Sequence, residues 1–311
     1  MIAISADSLS KTYRSGLFRR ESVTALNNFS LNVEHGQIFS LLGPNGAGKT
    51  TFIKILLSIT FPTSGSAAVL GKQLPNVRVK SKVGYLPENH RYPGYLTGEQ
   101  VLRFFGQLSE VNRSILDSRV TKLMDLVGMS RWASMKVKKY SKGMMQRIGL
   151  AQSLINDPDV IFLDEPTDGV DPLGRKEIRD VLRSLKDEGK TIFLNSHLLS
   201  EVERISDRVA ILDKGKLLKV GSVAELTSSG SLYSIGVNGV LPVDAANELK
   251  EMGVTWTDRD GAIQVEIETT AELNRMIDLL RGHSVEITSV TRQKNSLEES
   301  FINLLQREGS E

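Results

Sequence analysis

IFSLLGPNGAGKTTFIKILLS, residues 38 to 58, reads as three local structures in succession. The apolar run Ile38 to Leu42 has the character of a buried strand, a glycine-rich turn follows, and Ile53, Leu56 and Leu57 mark one face of a helix beginning near Lys49. Gly43, Gly48, Lys49 and Thr50 satisfy G-x-x-x-x-G-K-[ST], the P-loop pattern, in the strand, loop and helix order that gives the motif its meaning. Glycines let successive backbone N–H groups curl round an anion, and the helix N-terminus adds a partial positive charge. On this reading Lys49 reaches the terminal phosphates of a nucleotide and the Thr50 hydroxyl ligates Mg²⁺.

Outward from the P-loop, the composition is that of an ordinary globular chain: 311 residues, 40% hydrophobic and 24% charged. No apolar run approaches the roughly 18 residues of a membrane span. The start, MIAISADSLS, lacks the basic and apolar regions of a secretory signal, so a cytoplasmic location is expected. The absence of cysteine excludes disulfides and thiol chemistry. The net charge of +2 conceals an asymmetry: residues 1–220 hold 32 Lys and Arg against 22 Asp and Glu, and residues 221–311 hold 7 against 15. Two domains are expected, the first basic enough for nucleotide or an anionic surface.

Before the P-loop, short apolar stretches alternate with polar ones as half-buried strands do, interrupted by the arginine-rich excursion RSGLFRRES, residues 14–22. Tyr13, just ahead of it, is an aromatic available to stack on a base or to pack. After the P-loop, Ala67 to Leu70 and Val83 to Leu86 read as strands, the latter running into Pro87, Glu88 and Asn89. From Thr97 to about Asn156 the period is helical, with Val101, Phe104, Phe105 and Leu108 on one helix face and Val120, Leu123, Met124 and Val127 on another. Ser141 and Gly143 open a further helix. Val160 to Leu163 is a bare apolar strand ending in Asp164 and Glu165, which places both acids where ligands bind in an open parallel sheet. Asp164 can hold Mg²⁺ through its water shell, and Glu165 can orient or deprotonate an attacking water. A helix and another strand, Thr191 to Leu194, follow and end at His197; the repeated order predicts a mostly parallel, helix-covered sheet.

Over residues 1 to about 225 the chain resembles ATP-binding-cassette (ABC) transporter ATPases. GPNGAGKTT, comprising Gly43, Pro44, Asn45, Gly46, Ala47, Gly48, Lys49, Thr50 and Thr51, matches the Walker A element, and VIFLDEPT, Val160 to Thr167, matches Walker B with its catalytic glutamate, Glu165. Tyr13 falls at the adenine-stacking aromatic and His197 at the switch histidine. YSKGMMQR, Tyr140 to Arg147, takes the place of the family signature. The resemblance implies a P-loop NTPase cassette: a mostly parallel core sheet, an antiparallel β subdomain and a helical insert over about residues 90–156. It implies ATP and Mg²⁺, the metal held by Thr50, Glu88 and Asp164. It also implies a homodimer with two ATPs sandwiched, Ser141, Lys142, Gly143 and Asp171 reaching the nucleotide on the second copy. Three departures stand out. Lys142 and Met144 occupy glycine and glutamine positions of the signature, Glu88 occupies that of the Mg²⁺-sensing glutamine, and Asp168 stands where serine is common in the loop before Asp171.

GYLPE, SKGM and TDGVDPLGR look most like exporter cassettes of the ABC-2 type. That implies separate transmembrane permease subunits, a seat peripheral to the inner face of the membrane, an accessory protein as a possible further partner, and no nucleic acid. The family's groove for the permease's coupling helix would fall near Tyr92, Tyr95, Phe104 and Phe105, although core packing accounts equally for the two phenylalanines. Residues 226–311 follow the order βαββαβ plus a helix, with a hairpin about Asp260-Gly261, and suggest a smaller α+β, ferredoxin-like accessory domain. A soluble ABC ATPase acting on nucleic acid or ribosomes is the alternative, but such proteins usually carry two cassettes or a long coiled coil, and this chain has one P-loop and no sustained heptads. A plain P-loop kinase is disfavoured by the signature and the Walker B glutamate.

Overall fold

The computed structural model describes residues 1–14, 22–227, 232–239, 241–251, 256–259, 262–267, 269–292 and 296–308. The excursion at 15–21, the Asp260-Gly261 turn, and the expected positions of Met252 and Val254 lie outside the described residues. The chain divides into two compact units, Met1–Ser222 and Val223–Glu311.

The first unit opens with β1 (Ile2–Arg14) and β2 (Ser22–Glu34), then β3 (Ile38–Leu42), α1 (Lys49–Leu56), β4 (Ser64–Val69), β5 (Lys72–Gln73) and β6 (Val83–Leu86). Helices α2 (Gly98–Leu108), α3 (Arg113–Leu126) and α4 (Lys142–Ser153) form the insert. After it come β7 (Val160–Asp164), α5 (Pro172–Asp187), β8 (Thr191–Asn195), α6 (Leu199–Ile205), β9 (Arg208–Asp213) and β10 (Lys216–Ser222). One sheet is antiparallel, in the order β2-β1-β4-β5. The other runs β10-β9-β3-β8-β7-β6 and is parallel except for the β9–β10 hairpin. β4 begins earlier than its apolar residues suggest, because Ser64 and Ser66 pair with Ser10 and Asp7 of β1.

Every residue of β3, β7 and β8 is buried, as their bare apolar sequences require of strands covered on both faces. Between the two sheets lies a phenylalanine cluster. Phe29 of β2 meets Phe52 of α1 at 4.7 Å between ring centroids, and Phe193 of β8 meets Phe52, Phe39 and Phe162 at 5.7–5.8 Å. All five rings are fully buried, each burial contributing about 2–3 kcal/mol. α1 is thereby fixed against both sheets, which sets the position of the loop at its N-terminus.

The insert corrects one helical face. α2 starts with a capping box between Thr97 and Gln100, and it buries Gly98, Val101, Leu102 and Gly106, whereas Phe104 and Leu108 are exposed. The two glycines explain the rotation. A Cβ on Gly98 would lie 2.3 Å from the Tyr140 hydroxyl, and one on Gly106 would lie 2.3 Å from Leu116 Cδ1. The packed face is thus marked by what is missing from it. Phe105 and Tyr92 do pack, edge to face at 5.7 Å, while Tyr95 stands in solvent.

The second unit comprises α7 (Val223–Thr227), β11 (Leu232–Asn238), α8 (Val243–Glu251), β12 (Trp256–Arg259), β13 (Ala262–Glu266), α9 (Thr270–Gly282), β14 (Glu286–Arg292) and α10 (Leu297–Glu308). Its sheet is antiparallel in the order β12-β13-β11-β14, over a core of Ile235, Leu249, Ile263, Val265, Met276 and Leu280. The division falls at Ser222, a few residues before the expected boundary, because α7 packs on α10 of the same unit.

Candidate functional site

The parallel sheet brings the carboxyl ends of β3, β8 and β7 side by side, with Asn195 in register with both Leu41 and Asp164. The P-loop leaves β3 at that edge. Gly43 is packed so closely that a Cβ would lie 2.2 Å from the carbonyl oxygen of Leu212, and Gly48, at φ 111°, caps α1 in a conformation that favours glycine. Pro44, Asn45 and Gly46 are exposed, Ala47 is buried, and Thr50 and Thr51 lie half-buried in the first turn of α1.

Lys49 is buried, its ammonium donating to the carbonyls of Gly43 at 2.7 Å and Pro44 at 3.1 Å. Burial lowers its pKa, while the carboxylates of Glu165, Asp164 and Glu88 pull the other way. Asp164 is 2% exposed and accepts a hydrogen bond from the Asn195 amide. Its pKa is pushed up to about 6 by burial, with Glu88 and Glu165 adding to the rise. Glu88 itself is exposed just beyond β6.

Glu165 follows at φ 53°, an uncommon conformation for a residue with a side chain, held by its amide donating to Asn195 O at 2.9 Å. Its Oε1 lies 2.8 Å from Nδ1 of His197, and Oε2 is buried without a hydrogen-bond partner. Burial raises the Glu165 pKa against the pull of His197 and Lys49. A carboxylate with one oxygen oriented by an imidazole, the other bare, and a raised proton affinity has the attributes of a general base. His197 is half open to solvent at the end of β8, able to contact Glu165 and an incoming group together. Tyr13 stands near the end of β1 in the antiparallel sheet, 42% exposed and with the Lys11 ammonium 4.9 Å from its ring centre.

A second grouping forms where α4 meets α5. Ser141 caps α4, its hydroxyl accepting the Met144 amide at 3.2 Å, and Ser141 and Lys142 are exposed. Asp171 caps α5, its carboxylate accepting the Gly174 amide at 2.7 Å. Ser141, Gly143 and Asp171 line one open cavity of about 470 Å³ together with Leu173 and Arg147. Lys142 pairs with Asp168 at 2.7 Å within the subunit. Gly143 has no packing reason to be glycine: a Cβ there would meet nothing closer than 3.9 Å, and its φ is not left-handed.

Besides Asn195, two contributors escaped the sequence reading. Gln146, buried on α4, donates to the carbonyl of Glu165 at 3.0 Å, and a polar residue on the core-facing side of a helix was the available signal. His90 places its ring nitrogens 3.1 and 3.0 Å from the Pro87 and Met145 carbonyl oxygens, between the loop after β6 and α4. Nothing in its sequence surroundings foretells that contact.

A family model described as ABC transporter matches residues 26–168. An uncharacterised ABC transporter ATP-binding protein of Nostoc sp. is 44% identical over 96% of this chain and 89% of its own. A Nod factor export ATP-binding protein of Ralstonia nicotianae is 38% identical over 65% of this chain and 64% of its own. The solved dimeric structure of a bacterial ABC transporter cassette matches with a TM-score of 0.64 and 25% identity, covering 71% of this chain and 98% of that one.

Proposed function

The chain belongs to the ABC transporter family of ATP-binding, ATP-hydrolysing subunits, and from that premise we propose that it powers an ABC-2 type exporter by closing a homodimer over two ATP molecules. The P-loop amides and Lys49 take the phosphates, and Tyr13 stacks on adenine. Thr51 continues the cradle into α1. Glu165, steadied by His197, activates the attacking water. Ser141, Gly143 and Asp171 complete the site on the second copy. Export is supported by the resemblance to exporter cassettes and by the Nod factor export relative. No helix among the described residues is long and apolar enough to cross a membrane, which accords with a permease supplied by other subunits at the inner face of the membrane.

For Mg²⁺ the donors fit in kind. The Thr50 hydroxyl, Asp164 and Glu88 are hard oxygen ligands, and a carboxylate whose proton affinity is raised by burial and, less, by its acidic neighbours is relieved by a cation. Among the described residues, no group of three or more His, Asp or Glu side chains could hold a metal unaided, so the ion would arrive on the triphosphate. Bound there, it would neutralise charge between phosphate oxygens. The second unit, whose strand order β12-β13-β11-β14 supports the ferredoxin-like reading, we take as an accessory to dimerisation.

The observation that carries the sandwich is Gly143. Nothing in its own subunit requires glycine on that helix tip, which supports a glycine suited to close approach by a group from outside the subunit. In a Glu165→Gln parent, ATP should drive dimerisation seen by light scattering. Adding Gly143→Ala should leave thermal stability within about 1 kcal/mol, since alanine suits a helix better than glycine, yet abolish that dimer. Undiminished dimerisation in the double variant would overturn the arrangement.

A further inference from the structure

Two of the three departures from the family pattern, Lys142 in the signature and Asp168 in the loop before Asp171, contact each other. Their ion pair measures 2.7 Å, and the Lys142 stem lies across Gly169, where a Cβ would come within 2.2 Å of Lys142 Cδ. Gly169, at φ 66°, turns that loop in a conformation that favours glycine. One turn further along α4, on the same face, Gln146 donates to the Glu165 carbonyl, which also accepts the Asp168 amide at 3.2 Å. The helix that ends in Ser141 and Gly143 is therefore attached at two points to the segment that carries Glu165 at one end and Asp171 at the other.

We propose that Lys142 and Asp168 are positioning residues, a latch that holds the α4 tip and the Asp171 loop together so that a second copy meets them as one preformed surface. The latch rests on the sandwich reading. In the free subunit the pair does little for stability, because the two side chains are 61% and 41% exposed and water screens them. Covered by a second copy, the same pair loses that screening and its attraction grows. Its effect thus falls on dimer closure, through surfaces already in place before the twin arrives.

The test is a double-mutant cycle in the Glu165→Gln parent, which keeps the backbone carbonyl used by Gln146. The quantity read is the ATP concentration for half-maximal dimerisation. Lys142→Gly and Asp168→Ser, the residues common in the family, should each raise it about fivefold, and the double variant should raise it about fivefold in total relative to the parent, not about 25-fold. Lys142→Arg should stay near the parent. With Glu165 intact, Asp168→Ser should raise the KM for ATP and leave kcat and thermal unfolding unchanged. Additive penalties, no penalty in either single variant, or a penalty confined to Lys142 would each overturn the latch, the last because it marks direct contact with phosphate. A parent that fails to dimerise with ATP would overturn the sandwich and the latch with it, so the two failures are told apart by the parent alone.

Discussion

Asp164 sits 2% exposed at the end of β7, and its carboxyl is pushed up to about 6 by burial and by the nearby acids. An unfolded aspartate titrates near 3.9. A carboxyl raised on folding contributes its stability below the unfolded value and loses it as the pH rises through the folded one. The nucleotide-free protein therefore carries a penalty above pH 6 of about 2–3 kcal/mol from this residue. Asp164→Asn removes the charge and leaves an oxygen for the Asn195 amide. It should stabilise the nucleotide-free protein by about 1–3 kcal/mol at pH 8 and by little at pH 4.5, read from urea unfolding. Equal shifts at both pH values would refute the assignment. Gly43, Lys49, Asp164 and Glu165 were legible in the sequence because their chemistry follows from residue type at fixed spacing after an apolar strand. Asn195, Gln146 and His90 were not, since their partners stand 31, 19 and 55 residues away and only the folded sheet brings them near.

The P-loop shows how an element constrains residues of one type differently. Gly43 is pressed against the end of β9, where Leu42 and Ile211 pair in parallel, so a methyl group must part backbone from backbone. Gly46, at φ 83°, has nothing within 4 Å, and alanine there meets only its own left-handed conformation. Gly46→Ala should destabilise by about 1–2 kcal/mol and Gly43→Ala by about 3 kcal/mol, measured by chemical unfolding. The reverse order would show that conformation rather than close packing shapes the loop. Hydrophobic period served well for β3, β7 and β8, whose burial on both faces leaves no choice of side. It misplaced the face of α2, where Gly98 and Gly106 rather than Phe104 and Leu108 meet the neighbouring side chains. Periodicity counts large apolar groups, and a helix that packs through glycines is invisible to it.

At the scale of the whole molecule, charge and cores divide along the same boundary. The first unit has its own core about Phe29, Phe52 and Phe193, the second its own about Ile235 and Met276. Residues 221–222 carry no charge, so the split at Ser222 leaves 32 Lys and Arg against 22 Asp and Glu before it, and 7 against 15 after it. Two copies of the first unit alone would approach each other at +10 apiece, whereas two full chains approach at +2. Like charge opposes association through a field that salt screens within about 8–10 Å near physiological strength. A chain ending at Ser222 should therefore fold and bind ATP, yet in the Glu165→Gln background dimerise several-fold more weakly than the full chain at about 0.05 M salt, the gap closing to within about twofold at 0.5 M. Sedimentation across a salt series checks this. A gap that persists undiminished at high salt would assign the second unit a contact between copies in place of a charge effect, and no gap at any salt would leave it without a part in dimerisation.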